Sequence, residues 1–325
     1  MSSKELDLVQ TEIAIKYIKD IFERRLAKKL SLIRVSAPLM VETKTGLNDN
    51  LNGHERTVNF TSKDMHLEIV QSLAKWKRMA LAKYQFKAET GLYTDMNAIR
   101  CDEDLDAIHS IYVDQWDWEK IINREERNFD FLKKTVDKIY SVVYQLSIHM
   151  HKRYPMFSYN LPKKITIIST TELEAKYPNL TRKERENQIA KEYGAVFVYQ
   201  IGWPLKDGKS HDGRAADYDD WTLNGDILLW YDVLGIALEI SSMGIRVDEE
   251  SLVKQLAYKK EEFKLENPYC QSILNKELPL TIGGGIGQSR LCMFFLQKRH
   301  IGEVQASAWP QAMLDSLAKE NIYLL

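Results

Sequence analysis

Cysteine is scarce in this 325-residue chain. The three that occur, Cys101, Cys270 and Cys292, are odd in number, far apart and in no C-x-x-C spacing. That argues against a disulfide framework or a zinc site and suits a reducing compartment, so a cytoplasmic location is expected. No run approaches the length of apolar sequence a membrane-spanning helix needs. The opening Met1-Ser2-Ser3-Lys4-Glu5 leads into a charged amphipathic segment and has no apolar stretch of the secretory kind. An excess of one charge is also missing: 45 Lys and Arg face 46 Asp and Glu, a net charge of −1, and the lysines are scattered. The electrostatic footprint of a nucleic-acid binder is therefore absent. No repeat, low-complexity linker or composition break divides the chain, and one domain over 1–325 is expected.

What is present is ordinary globular material, 44% apolar and 28% charged, enough for a sizeable core. Leu8, Ile15, Ile18, Phe22 and Leu26 predict a helix over 5–29. Residues 33–40 read as extended and end at Pro38. The segment 43–59, rich in Asn, Gly and Asp, reads as a functional or a disordered loop. A short strand at 67–70 precedes a helix near 72–84. Over 112–119, Asp114, Trp116 and Trp118 alternate imperfectly with Val113, Gln115 and Asp117, a strand with charged groups on one face. The longest helix is expected over 120–154, with Ile122, Phe129, Leu132, Val136, Ile139, Val143 and Leu146 on one stripe. A strand at 165–169 follows. Thr181 with Glu184 forms a capping box for a helix ending near Gly194. A strand at 195–201, a polar loop at 202–221 and a hairpin pairing 226–230 with 237–240 come next. Strands and helices mix without regular βαβ alternation, which predicts an α+β fold with a mainly antiparallel sheet flanked by helices.

The densest chemical signal is Gly283-Gly284-Gly285-Ile286-Gly287-Gln288-Ser289-Arg290, followed at once by the apolar Leu291 to Leu296. Glycines let a backbone approach a flat ligand closely, and an arginine on the first turn of the next helix can stack on a purine or meet a phosphate. The run is not a P-loop, because no lysine follows the glycines. It is not a dinucleotide fingerprint either, because Gln288 stands at the third glycine position. By itself it reads equally as a flexible turn before a core helix.

Three further pieces accompany it. They are Leu32 to Met40, ending in Pro38; Arg100-Cys101-Asp102-Glu103 with His109 and the strand to Glu119; and Leu223-Asn224-Gly225-Asp226 with Leu238-Glu239-Ile240 and Gly244-Ile245-Arg246. In this order the four resemble the signature motifs of the class II aminoacyl-tRNA synthetase catalytic core, of the aspartyl, asparaginyl and lysyl group, over about residues 10 to 300. Gln71-Ser72 with Lys77 resembles the aspartyl-synthetase segment whose lysine holds the aspartate carboxylate, and Arg246 resembles the arginine completing that pocket. No room is left for an anticodon-binding domain ahead of the Pro38 motif. The bare core resembles the ammonia-dependent asparagine synthetases, whose likeness extends to Ser72–Lys77, Tyr112–Glu119, Glu239–Arg246 and Gly283–Arg290.

The resemblance implies ATP-dependent amidation of L-aspartate by ammonia through a β-aspartyl-adenylate, with Mg²⁺ accompanying ATP and with no nucleic-acid or membrane partner. It implies that Ser72, Lys77, Ser242 and Arg246 bind aspartate. Arg100 would contact the α-phosphate and the reacting carboxylate; Arg290, Gly285 and Gly287 would bind the nucleotide, and Asp226 and Glu239 would carry Mg²⁺. Asp49, Gln115 and Asp117 are candidates for the α-ammonium and for incoming ammonia, with Asp49 on a loop closing over the site. Read as residues alone, Lys77 could be a solvated helix lysine, Arg100 a surface arginine paired with Asp102, and Asp226 and Glu239 solvated strand ends. The first motif implies a homodimer, although Ile33, Val35 and Leu39 could equally be core. A transferase paralogue and a non-catalytic amino-acid sensor are the rival readings.

Overall fold

The computed structural model describes residues 6–48, 51 and 55–325. Among them, eight strands form one sheet, ordered β1 (Leu32–Arg34), β5 (Gly91–Ile99), β6 (Tyr112–Ile121), β11 (Thr281–Gly287), β10 (Ile236–Arg246), β9 (Asp219–Tyr231), β8 (Ala195–Tyr199) and β7 (Thr166–Ser169). Only the two outermost pairs, β1–β5 and β7–β8, run parallel. A second sheet of three short strands is ordered β2 (Met40–Glu42), β4 (Met65–Ile69), β3 (Asn59–Ser62). The mainly antiparallel α+β architecture is the one the sequence pattern predicts.

Alternation along β6 separates core from site. Trp116 and Trp118 are fully buried on one face, against Phe22 of α1 (Leu8–Leu30) and the apolar stripe of α3 (Phe129–Arg153). Ile282 and Ile286 of β11 join that core, as do Leu291 and Phe295 of α8 (Gln288–Leu296). Gln115, Asp117 and Glu119 point from the opposite face, where α2 (Ala74–Lys83) packs beside β6. A rigid two-sided strand thus carries both the largest core side chains and the site's acids.

Several elements differ from the sequence expectation. The long helix does not begin at 120: β6 continues to Ile121, and α3 starts at Phe129, where the Asn128 side chain accepts a hydrogen bond from Phe131 N–H. The extended stretch 33–40 divides between the two sheets. The hairpin β9–β10 is much longer than 226–240, and Gly244–Arg246 continues β10 instead of forming a turn. Strand β5 shows no alternation in sequence because both of its faces are covered over Gly91–Thr94. The Thr181–Glu184 box caps α5 (Arg182–Tyr193) as expected. Ile33 is 61% exposed and Leu39 49%, so neither is core, whereas the adjacent Leu32 is buried. No helix among the described residues is long and apolar enough to cross a membrane.

Candidate active site

Three neighbouring strands, β6, β11 and β10, make the floor of the site. Register places Glu119 opposite Gly283 and Asp117 opposite Gly285, while Ser242 of β10 faces Gly285 from the other side. The glycines are needed because the β6 side chains lie across them. A Cβ on Gly285 would stand 2.1 Å from Gln115 Oε1 and 2.8 Å from Asp117 Oδ1. The result is a cavity of about 420 Å³ bordered by Ser72, Lys77, Arg100, Arg246 and Arg290.

Lys77 is buried, not solvated. Its helix aims Nζ at Gly284 O, to which it donates at 3.2 Å, with Asp117 Oδ1 at 3.2 Å and Glu119 Oε2 at 3.9 Å. Burial holds the ammonium below the usual lysine range, against the pull of Asp117, and Arg246 pushes the same way as burial. Arg246 donates from Nε and Nη2 to Glu119 (2.9 and 2.7 Å) and from Nη1 to Asp219 Oδ1 (2.5 Å). Burial acts to raise Glu119, but Arg246 and then Lys77 hold it below the ordinary carboxylate range. For Asp219 burial prevails and the carboxyl is raised, with Glu119 adding to it. Three carboxylates therefore surround two cations in a closed space. A guanidinium has five N–H donors, so Arg246 retains N–H capacity toward the cavity after binding both acids.

Arg100 follows β5 directly, borders the cavity and lies 3.9 Å from Glu103. Its Nε has no hydrogen-bond partner among the described residues. Asp102 is held instead by Arg56 (Nε–Oδ1 2.9 Å), so the Arg100–Asp102 pair that the sequence left open does not form. Arg290 stands on the first turn of α8, as expected, donating to Glu239 O at 3.1 Å and lying 3.8 Å from Glu239 Oε2. Ser72 and Ser242 both border the cavity, and Ser72 Oγ accepts from Ala74 N–H at 3.1 Å at the start of α2.

Asp226 and Glu239 differ in exposure. Glu239 faces the cavity with its side chain 38% exposed, whereas Asp226 is buried, with one oxygen on Arg214 Nη2 at 2.5 Å. Burial pushes the Asp226 carboxyl up to about 7; Arg214 opposes this, while Glu239 and Asp212 add to it. Asp226 does not itself border the cavity, but its buried carboxylate, raised in part by the cavity-facing Glu239, fits a hard divalent cation that completes its shell with phosphate oxygens and water. Among the described residues no group of three or more His, Cys, Asp or Glu could hold a metal, so these two would act only together with a nucleotide.

Asp49 lies outside the described residues. Its neighbour Asn48 is buried: Nδ2 donates to Glu68 Oε2 and Ile69 O (both 3.1 Å), and Oδ1 accepts from Gln71 N–H at 2.9 Å. Buried Lys75 ties the same region to Asp217 at 2.6 Å. Sequence reasoning missed Arg214, Asp219 and Lys75. The first two lie in or beside a stretch that reads as a polar surface loop, and nothing local marks them as buried.

A family model described as aspartate-ammonia ligase matches residues 9–321. Among similar proteins is the aspartate–ammonia ligase of Fusobacterium nucleatum, 60% identical over 98% of this chain and 98% of its own length. That of Clostridium perfringens is 58% identical over 98% and 96%. Among solved structures, asparaginyl-tRNA synthetase from Pyrococcus horikoshii complexed with asparaginyl-adenylate superposes with a TM-score of 0.68 at 18% identity, over 92% of this chain and 70% of that one. Its likeness bears on the fold, which is the class II synthetase core expected from the motifs. Arg100, Glu239, Arg246 and Arg290 border one cavity, and on near-complete, high-identity matches the chain belongs to the aspartate-ammonia ligase family.

Proposed function

We propose that this enzyme makes L-asparagine from L-aspartate, ammonia and ATP in two steps. The β-carboxylate attacks the α-phosphorus of ATP, forming β-aspartyl-adenylate and pyrophosphate; ammonia then attacks the acyl carbon, and AMP leaves. The observation that carries this reading is the buried ionic cluster of Lys77 and Arg246 with Asp117, Glu119 and Asp219, set against a cavity that Arg100 and Arg290 also border. Aspartate is a zwitterion with a second carboxylate, and this cluster offers cationic N–H donors beside anionic oxygens. Lys77 and Arg246, with Ser72 and Ser242 alongside, hold the α-carboxylate. Asp117, whose buried Oδ2 has no partner among the described residues, and Gln115 accept from the α-ammonium and from incoming ammonia. The β-carboxylate then points toward Arg100, whose charge offsets the negative charge gathering on the α-phosphate. Arg290, with Gly285 and Gly287 leaving room beside it, holds the nucleotide. Asp226 and Glu239 hold Mg²⁺, which neutralises phosphate charge when bound. The Asp49 loop keeps water from the acyl-adenylate.

Free ammonia is the nitrogen donor. A glutaminase needs an activated thiol, and burial pushes the Cys270 and Cys292 thiols up to about 12. The reading includes a homodimer in the cytoplasm and no requirement for tRNA. The deciding test is aspartate-dependent ATP–pyrophosphate exchange without tRNA, followed by addition of ammonium. Exchange, then asparagine and AMP in equal amounts, is expected. Exchange without asparagine would point to a transferase, and folded protein with no exchange to a sensor.

A further inference from the structure

Helix α8 begins without the features that stabilise a helix start. Its N-cap is Gly287, no side chain of its own caps it, and its first turn contains no acidic residue. Instead that turn carries Arg290, a cation at the positive end of the helix dipole. The missing groups come from neighbouring elements. Asp114 of β6 accepts from the backbone N–H of Ser289 at 3.1 Å, through the same Oδ1 that accepts from Gln305 Nε2 at 3.2 Å. Gln305 also donates to Ser289 Oγ at 3.1 Å, and Lys19 of α1 donates to Asp114 Oδ2 at 3.1 Å. Asp114, Ser289 and Gln305 are all buried. A second strand carboxylate, Asp95 of β5, accepts from the Gln288 side chain at 3.0 Å. The first two residues of α8 are therefore held by acids from two sheet strands, and the third is Arg290.

We propose that Asp114 is a positioning residue for Arg290: it supplies from β6 the acidic cap that α8 lacks, and so fixes the guanidinium where the nucleotide meets it. Three features agree on this. The acceptor bonds the residue directly before Arg290. Its negative charge offsets a cation placed against the dipole. The Lys19 and Gln305 contacts hold Asp114 itself in one rotamer. Beyond this first turn Arg290 is held by two backbone carbonyls, Glu239 O and Ile108 O at 3.4 Å, and by the Glu239 carboxylate 3.8 Å away. The inference rests on the reading that Arg290 contacts ATP.

The test is a double-mutant cycle in the full-length enzyme with Asp114→Ala, Arg290→Ala and the pair, read by equilibrium binding of ATP and by KM for ATP and for aspartate. Arg290→Ala is expected to weaken ATP about tenfold or more, and Asp114→Ala about fivefold with the aspartate KM within about twofold. The double variant should match Arg290→Ala alone. Asp114→Asn keeps a neutral acceptor and should lose roughly half as much binding free energy. A double variant that shows the full product of the two losses, or an aspartate KM that moves with that of ATP, would overturn the inference. If Asp114→Ala does not fold, Gln305→Leu replaces it in the same cycle, with about a threefold loss expected and the same criteria. If Arg290→Ala leaves ATP binding unchanged, the nucleotide role of Arg290 fails and the positioning role with it. If Arg290→Ala weakens ATP and Asp114→Ala does not, only the positioning role fails.

Discussion

Lys77 and Asp226 are the two side chains whose burial makes the sharpest demands. Removing the Lys77 charge leaves Asp117 without its cation and Glu119 on Arg246 alone, at the buried wall of the cavity. Stripping one member from a buried ionic group costs about 3–5 kcal/mol when nothing else compensates; here Arg246 stays on Glu119, so about 1–3 kcal/mol is expected. Lys77→Met should therefore lower the urea midpoint and raise the aspartate KM at least about a hundredfold while ATP still binds. Lys77→Arg should not rescue it, because a planar fork does not fit the space of a compact ammonium. Unchanged aspartate affinity in Lys77→Met would remove this residue from the pocket. Asp226 makes a prediction in pH. Its carboxyl is raised from 3.8 to about 7, so between those values the folded protein keeps a proton that the unfolded chain has released. Its contribution to stability is present at low pH and is lost as pH rises through 7. Asp226→Asn, which cannot ionise, should gain stability relative to the parent on going from pH 5 to pH 8. A Mg²⁺ held by Asp226 would have to displace the same proton, so its apparent affinity with ATP should then fall below pH 7 in the parent. A stability difference independent of pH would mean that Asp226 is ionised throughout.

Strand β11 shows how one element serves both the fold and the site, and its glycines separate the two demands. A Cβ on Gly284 would meet Met243 Cβ at 2.5 Å and the backbone Ser242 O at 2.6 Å. Neither can move without parting β11 from β10, so Gly284→Ala should cost about 3 kcal/mol or more by thermal or chemical melting. The atoms nearest to a Cβ on Gly285 are the tips of Gln115 and Asp117. Those can turn away, so Gly285→Ala should fold nearly as well as the parent but lose about a hundredfold in kcat/KM through misplaced acids. Equal loss of stability in both variants would defeat this division. The glycine run, the Arg290 position and the acid face of β6 were legible in the sequence because each depends on local spacing. Strand β5 was not, since two covered faces erase alternation. Nor was the burial of Arg214 or Asp219: whether a charge is inside depends on partners far along the chain, as with Arg246 and Glu119, 127 residues apart. The start of α3 was missed because Asn128 caps it late and Ile122 continues the apolar pattern across the break.

On the scale of the whole molecule, the β1 edge of the large sheet is the feature still to be accounted for. β1 ends the strand order and shows Ile33 to solvent; Leu39, in the link to β2, is exposed too, as are Met40, Phe60 and Met65 on the small sheet. An open edge with apolar side chains favours pairing with another chain, and the class II resemblance assigns a homodimer contact to this segment. Light scattering should therefore give twice the mass of the chain at micromolar concentration, and Ile33→Asp with Leu39→Asp should give the single-chain mass. The consequence should reach the site. Arg34 of the same strand pairs with Asp95 through Nε at 2.9 Å, and Asp95 also holds Gln288 at the start of α8. If the chain pairs with a second copy through this edge, splitting the pair should loosen β1, and with it the Asp95 support of the turn that carries Arg290. The monomeric variant should bind ATP several-fold more weakly, with a smaller change for aspartate, whose pocket lies against β6 and β10. A monomeric parent protein would defeat the edge-pairing reading, and a monomeric variant with full ATP affinity would show that the Arg34–Asp95–Gln288 chain holds without a second subunit.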